Sequence, residues 1–485
     1  MYSIMHISDL HRYTDSSLSN DEIISSLIQD SRRYVHESPP ISLPNAVVVS
    51  GDLILGLPLH SPLYPIEIEK QYSLVMEFLS KLAQTFTQND RSRIIIVPGN
   101  HDVDWNRVDG ALEEIDCTGK DIETLLAQPN SPYRWSWKER KLFKVINYQL
   151  YQERFKYFCD FYSNFYENTN LVFKVDPARN WNLFRLNEGK ILLCAFNSCV
   201  FNDCYNAFGE IPGDAIAQSD LADSGDYLLK IAVWHHDVQG GPRRSDYLDS
   251  ATIQILIDKG YRIGLHGHKH ISGTVPFTLH TSAEGITAVI IGAGALSADI
   301  RHLPHGINRQ YNMLQIFDNY EKGRLHVREE TVPDVFAPGR LMALGGLSYA
   351  DLKWDRTQDN QLVNIGRGGG EDIISIEQIE EDVSKGRFDL AISKIQLDRD
   401  HLGIYGRQLL SKGLFDAKEW RRLLTFLSSP QNEDELAKMV FAAVSLQDWG
   451  VATQLLTGAE DSGRYAPMFL RDLKDMVSAK KRIKQ

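Results

Sequence analysis

The sequence predicts an α/β fold with largely parallel central strands, followed by an all-helical region. Three observations carry this. Short β-branched runs alternate with amphipathic stretches from the start to about residue 330. Most of those runs are apolar throughout, as strands covered on both faces are. Beyond a glycine-rich joint at Asn364–Asp372 the strand signal stops. The length of 485 residues corresponds to about three structural units at a prior of roughly 150 residues each.

Taken in order, the strands are Tyr2–Ile7, Ala46–Ser50, Arg93–Val97, Ile191–Phe196, Lys230–Trp234, Arg262–Leu265 and Ala288–Ile291. Helical spacing over Glu22–Val35 and Glu67–Thr87 sets helices between them. Residues from about 103 to 180 read as a helical insertion, because Ser136–Tyr166 is dense in aromatics at helical spacing. Those rings either pack the insertion onto the domain or form a lid that stacks on a substrate base. The expected organisation is a catalytic domain over 1–335, a linker over 336–372 and an α-helical C-terminal domain over 373–485. The glycine-rich joint lacks the Gly-Lys-Ser/Thr ending of a phosphate-binding loop. Gly386–Ile395 and Gln447–Leu456 share an aromatic, an alanine and an aliphatic at the same offsets. That echo fits either a helical-hairpin repeat or a plain bundle. A protein partner or self-association through these helices is the matching expectation. Lys480–Lys484 reads as a solvated helix end, where cations suit the helix dipole.

Composition narrows the class. The chain is 43% hydrophobic and 24% charged, as an ordinary globular protein is. Its net charge of −12 argues against coating nucleic acid by bulk charge, while leaving room for a local basic groove. No apolar run approaches the ~18 residues of a membrane-spanning helix. The opening Met1–Ser8 lacks the layout of a signal peptide. The five cysteines include no CxxC pair, which argues against a disulfide framework or a zinc ribbon. A cytoplasmic protein with no membrane partner is expected.

Five short segments, each at the C-terminal end of an expected strand, carry the chemistry: Ser8–His11, Ser50–Asp52, Pro98–Asp102, Trp234–Asp237 and Leu265–His270. Ligands of open α/β sheets gather beyond the carboxyl ends of strands, so five such ends can converge on one site. The side chains are hard oxygen and imidazole donors without a thiolate. That set suits Mn²⁺, Fe²⁺/³⁺, Zn²⁺ or Mg²⁺, with manganese foremost. Asp-x-His and His-x-His put alternate residues on one side of an extended backbone. Glycines before Asp52, Asn100 and His268 allow sharp turns and close backbone approach. There are more donors than one ion needs, which fits two ions roughly 3.5–4 Å apart with one carboxylate between them.

The ordered set Asp-x-His, Gly-Asp, Gly-Asn-His-Asp, His and Gly-His-x-His resembles the signature of the calcineurin-like metallophosphoesterases. The resemblance covers roughly residues 1–330. It implies a fold of two mixed β-sheets packed face to face and flanked by helices. It implies that Asp9, His11 and His270 hold one metal, that Asn100, His235 and His268 hold the other, and that Asp52 bridges them. His101 is implied to face the scissile phosphate as the catalytic residue. His235 is preferred to its neighbour His236 as the ligand, with His236 placed behind it. Gly51–Gly56 lacks the Asp-Arg-Gly extension of the protein serine/threonine phosphatase branch. The segments look most like the phosphodiesterase branches, which include cyclic-nucleotide phosphodiesterases and nucleases.

The expected activity is therefore hydrolysis of phosphodiester bonds in a nucleotide or nucleic-acid substrate, by attack of a metal-bridging hydroxide. A phosphomonoesterase, or a non-catalytic scaffold that binds partners through the C-terminal helices, is the alternative. Substrate-binding residues are not assigned by the sequence. Arg12 either touches phosphate or, as the preferred reading, is a surface arginine, and Cys194 reads as a buried small hydrophobe. The loop bearing Arg301, His302, His305 and Arg309 is either solvated or lines the substrate pocket.

Overall fold

The computed structural model describes residues 1–126, 131–223, 225–239, 246–279, 286–304, 306–339, 348–355, 382–383, 385–397, 407, 410–430, 433–462, 464–465 and 467–484. The chain divides into two compact units, Met1–Ile365 and Gly366–Gln485.

In the first unit the strands are, in chain order, β1 Tyr2–Ile7, β2 Ala46–Ser50, β3 Ile94–Val97, β4 Leu112–Ile115, β5 Tyr133–Ser136, β6 Lys141–Val145, β7 Trp181–Leu186 and β8 Ile191–Phe196. They continue as β9 Leu229–Val233, β10 Tyr261–His266, β11 Gly273–Leu279, β12 Ile286–Gly292, β13 Gln310–Ile316, β14 Lys322–Val332, β15 Val335–Pro338 and β16 Tyr349–Lys353. The first sheet runs β15-β14-β13-β1-β2-β3, with β16 also on β14. The second runs β11-β12-β10-β9-β8-β7. Both are mixed. β1–β2–β3 and β8–β9–β10–β12 pair in parallel, and antiparallel strands complete one edge of the first sheet and both edges of the second.

The two sheets share one core. Ile4, Val48 and Ile96 of the first sheet cluster with Leu193, Ile231, Ile263 and Ile291 of the second. The outer face of the second sheet packs on α7 Gly213–Ala222 and α8 Ser250–Asp258 through Ile216, Ile253 and Leu256. The outer face of the first is covered by α1 Asn20–Ser31 and α2 Ile66–Phe86, whose Leu27, Val75, Phe78 and Leu82 are fully buried. α1 starts where it does because Ser19 and Glu22 form a reciprocal capping box. Its Asp30 takes the Arg328 guanidinium through both carboxylate oxygens and also accepts from Tyr311, which ties α1 to β13 and β14.

Two expectations change. The insertion is not all helical. Alongside α3 Trp105–Asp109, α4 Ile122–Leu126, α5 Tyr148–Gln152 and α6 Lys156–Tyr166 it carries a small antiparallel sheet, β4-β6-β5. The aromatics of α6 pack rather than cover a ligand. Phe158, Phe161, Tyr162, Phe165 and Tyr166 are buried in the main core, with Phe161 stacked on Tyr72 of α2. The segment expected as a linker from 336 begins with structure. β15 and β16 divide the free edge of β14 between them, pairing Arg328–Val332 and Lys322–His326. The joint at Asn364–Asp372 lies outside the described residues.

The second unit is helical among its described residues. Its helices are α9 Phe388–Leu397, α10 Trp420–Leu427, α11 Glu433–Ser445, α12 Trp449–Ser462 and α13 Pro467–Lys484. One turn occurs three times. Gly386, Lys418 and Gln447 have φ of 69°, 60° and 62°. In each case the N–H reaches back to the carbonyl three residues earlier, and the next N–H reaches the carbonyl five residues before itself. This doubled closure terminates one helix. Two residues on, Phe388, Trp420 or Trp449 opens the next helix, and Ala391, Leu423 and Ala452 are buried one turn later.

Candidate metal centre

Each of the five segments leaves the end of a buried strand: β1 before Asp9, β2 before Asp52, β3 before Asn100, β9 before His235 and β10 before His268. Backbone bonds hold the loops side by side, with Asp9 N–H on Gly51 O at 3.1 Å, His11 N–H on Asp52 O at 3.0 Å and Gly267 N–H on His235 O at 3.0 Å.

The donors converge by tight turns, which corrects the extended geometry expected for Asp-x-His and His-x-His. Asp9, His11, Asp52, His268 and His270 all have left-handed backbones, with φ of 51°, 45°, 51°, 78° and 59°. Such conformations are costly for residues with a Cβ and persist only where the surroundings impose them. Two glycines show how close the loops run. A Cβ on Gly99 would collide with the Asp52 carboxylate, and one on Gly267 with Ser8 Oγ and Asp9 Oδ2.

Two groups of ligand atoms result. In one, His270 Nε2 stands 3.1 Å from His11 Nε2 and 3.2 Å from Asp9 Oδ1. His11 Nε2 lies 3.9 Å from Asp9 Oδ1 and 3.7 Å from Asp52 Oδ2. In the other, Asn100 Oδ1 is 3.0 Å from both His235 Nε2 and His268 Nδ1, and the two histidine nitrogens are 3.3 Å apart. Asp52 Oδ2 is 3.3 Å from His235 Nε2, so this carboxylate touches both groups.

The spacings of 3.0–3.3 Å fit cations. Two donors on one ion at about 2.0–2.1 Å lie about 2.9–3.4 Å from each other, depending on the angle between the bonds. Facing imidazole nitrogens need a shared proton or a shared ion between their lone pairs. Asp9 Oδ1 and His11 Nδ1 are buried without a hydrogen bond. The described residues Asp9, His11, Asp52 and His270 form a compact group able to hold an ion.

Supporting bonds orient the rings. His235 Nδ1 bonds Ser50 O at 2.8 Å and His270 Nδ1 bonds His302 O at 2.8 Å, leaving Nε2 of each to the centre. Asp246 Oδ2 lies 3.6 Å from His268 Nε2, on the far side of the ring from Asn100. His101 donates its backbone N–H to Asp52 Oδ1 at 2.9 Å. Its Nδ1 bonds Leu55 O at 2.7 Å, and its ring meets that of His11 edge-on at 4.6 Å. The second histidine of the fourth segment is set apart: His236 Nδ1 bonds Ser198 Oγ at 2.9 Å, and its ring packs against those of His235 and His268.

The electrostatics are those of anions crowded by imidazoles. Burial would lower His235, but the Asp52 carboxylate outweighs it and raises the group to about 9. His270 is likewise raised to about 9, by Asp9 against its own burial. The same pairs hold Asp9 and Asp52 far below the usual carboxylate range despite their burial. Burial holds His11 down at about 3 and His236 well below its ordinary value.

Sequence reasoning left Asp102 unassigned, and it proves to be a clamp. Its Oδ2 accepts from Gly99 N–H at 2.8 Å and Leu53 N–H at 3.1 Å, and its Oδ1 from Tyr72 OH at 3.2 Å. One carboxylate thus joins the Asp52 and Asn100 loops. Burial, then repulsion from Asp52, raises it to about 7. Its place as the last residue of the third segment was the available signal. Arg12 is buried rather than a surface group, donating to Leu18 O at 2.8 Å. Cys194 is fully buried. Arg301 is exposed and paired with Asp299, Arg309 binds Glu330, and His305 lies outside the described residues.

A comparison with curated proteins finds no match. Among solved structures, a single-mutant Vps29 from Entamoeba histolytica is 9% identical, with 73% of this chain and 99% of that one covered and a TM-score of 0.26. Vps29 from Chaetomium thermophilum is 7% identical, with 73% and 97% covered and a TM-score of 0.26. The calcineurin-like phosphoesterase YfkN from Bacillus subtilis is 10% identical, with 80% and 97% covered and a TM-score of 0.27. No described helix is long and apolar enough to cross a membrane. The sequence pattern of the calcineurin-like phosphoesterases matches residues 2–272, more than half of the 485-residue chain, and the chain belongs to that family.

Proposed function

We propose that the chain is a binuclear metal-dependent phosphodiesterase acting on a nucleotide or nucleic-acid substrate. The supporting observation is the pair of donor groups that share Asp52. Asp9, His11 and His270 would hold one ion and Asn100, His235 and His268 the other, with Asp52 between them. Manganese suits this mixture of carboxylate, amide and imidazole, as do iron, zinc and magnesium. Bound ions supply Lewis acidity to water and to the phosphoryl oxygens.

The protein's own groups do the rest. Leu55 O takes the Nδ1 proton of His101, so Nε2 is the nitrogen left for the substrate. In its protonated form that nitrogen steadies charge on the leaving oxygen or protonates it. Asp52 accepts the His101 N–H, which fixes this loop against the carboxylate that would hold the ions. The turn repeated in the second unit favours stacked helix pairs, whose extended surface suits docking of a protein partner.

The test is turnover of bis-p-nitrophenyl phosphate against p-nitrophenyl phosphate by metal-stripped protein reloaded with Mn²⁺. Preference for the diester supports the reading. Preference for the monoester replaces it with a phosphomonoesterase, and inactivity with fully bound metal points to a scaffold.

A further inference from the structure

We infer that the hairpin of β5 and β6 is a stacking platform for single-stranded nucleic acid beside the metal centre. The inference rests on the phosphodiesterase reading and names its substrate class.

Residues 133–145 carry five cations against one anion, a net +4 in a chain of −12. Two of the cations are already used: Arg134 is buried on Asp203 and Lys141 pairs with Glu114. Lys138 and Arg140 are exposed at the hairpin tip. Lys144 lies over the Tyr133 ring, 5.8 Å from its centroid.

The aromatics follow the pleat. Tyr133 and Trp135 alternate with the buried Arg134 and Ser136, so their half-buried rings share one face of β5, with Lys144 and the buried Leu142 across from them. Trp137 meets Trp135 edge-on at 6.2 Å and is 83% exposed. Burial of such a ring in a core contact would stabilise the fold, yet this one is left in water. Successive rings flanked by unsaturated cations are what a single strand requires: a π-face for each base and a positive rim for the phosphates.

The inner face fixes the hairpin to the site. Phe143 stacks on Tyr205 at 4.9 Å, and Arg134 binds Asp203 and the Tyr151 hydroxyl. Asp203 and Tyr205 sit on the loop that begins at Ser198, whose Oγ accepts the His235 N–H at 3.1 Å. Seven residue steps separate Ser198 from Tyr205, so the residue on which the hairpin packs lies no more than about 25 Å from that ligand loop. A few nucleotides bridge that span. A membrane would also attract tryptophan and lysine, but it would not need this rigid tie to the catalytic loops.

The experiment uses the full chain with a fluorescein-labelled oligothymidylate, followed by anisotropy, and hydrolysis of the same oligonucleotide beside bis-p-nitrophenyl phosphate by the Mn²⁺-loaded enzyme. Trp137→Ala and Trp135→Ala should each weaken oligonucleotide binding about tenfold, while small-diester turnover stays within twofold. Trp137 is exposed, so its loss should leave the fold intact. Lys138→Glu with Arg140→Glu should lower the slope of log affinity against log salt by about 1.4. Unchanged oligonucleotide binding in these variants overturns the platform while leaving the phosphodiesterase reading in place. So does wild-type protein that ignores the oligonucleotide and sediments with phosphatidylserine vesicles. Loss of small-diester turnover in the wild type would instead refute the reading on which the platform rests.

Discussion

Loading the metal-free centre with divalent ions should expel protons, in a number the structure specifies. His235 and His270 are raised to about 9 by Asp52 and Asp9, so at neutral pH both rings carry a proton and take the place of cationic charge. Asp9, Asp52 and His11 are held low and give up none. A metal and a proton compete for the same Nε2 lone pair, so affinity falls as pH drops below about 9 and levels off above it. At pH 7 each of these protons must be displaced before its ion can bind, which weakens the affinity of that ion. Titration calorimetry with Mn²⁺ in two buffers of different ionisation enthalpy reads the count. About two protons should leave the histidines per chain at pH 7, and His270→Gln should lower the count by about one. Tight binding with no proton release, or an affinity flat from pH 6.5 to 8.5, would refute the charge arrangement drawn for this centre.

Other outcomes follow from single contacts. Asp102→Ala orphans three donors and should cost about 3 kcal/mol or more in chemical denaturation, against about 1 kcal/mol for Asp102→Asn, which keeps an acceptor. A loss for the alanine variant no larger than for the asparagine one would show that the clamp is not needed. His101→Ala should keep its metal, measured by atomic absorption, and lose about 10²–10³-fold in kcat on a small diester. Near-normal turnover would remove His101 from the reaction. Asp52→Ala should empty both sites while Asp9→Ala empties mainly one, and metal stoichiometry distinguishes them. Gly267→Ala drives a methyl into Ser8 and Asp9, and metal content should fall by more than half.

The parts of this molecule that were readable beforehand are those where one force decides. β1, β2, β3 and β8 to β10 are buried along nearly their whole length and rich in β-branched and aliphatic residues, with β3 and β8 apolar throughout, so hydropathy marks them. β13 and β14 hide their pattern because their polar side chains are bonded by neighbours: Gln310 by Ser272, Asn312 by Gly292 O, Arg324 by Asp351 and Arg328 by Asp30 of α1. β5 and β6 were lost among helically spaced aromatics, since a hairpin of four- and five-residue strands leaves too short a period to compete. At the site, residue types and order identified the donors, but the left-handed turns at Asp9, His11, Asp52, His268 and His270 are imposed by packed loops and leave no local signature. Arg12 was misjudged because burial of a guanidinium depends on distant acceptors such as Leu18 O.

The pairing of β1 has a cost in time. It sits inside the first sheet, with Met5 opposite Val47 on one side and opposite Met313 on the other. A ribosome adding about 5–20 residues per second needs roughly 15–60 s to supply that second neighbour. Throughout the interval the nascent polypeptide holds an unmated hydrophobic ribbon, the kind of edge that recruits other chains. Translation rate and holding chaperones should therefore govern the yield of intact protein more than its final stability does.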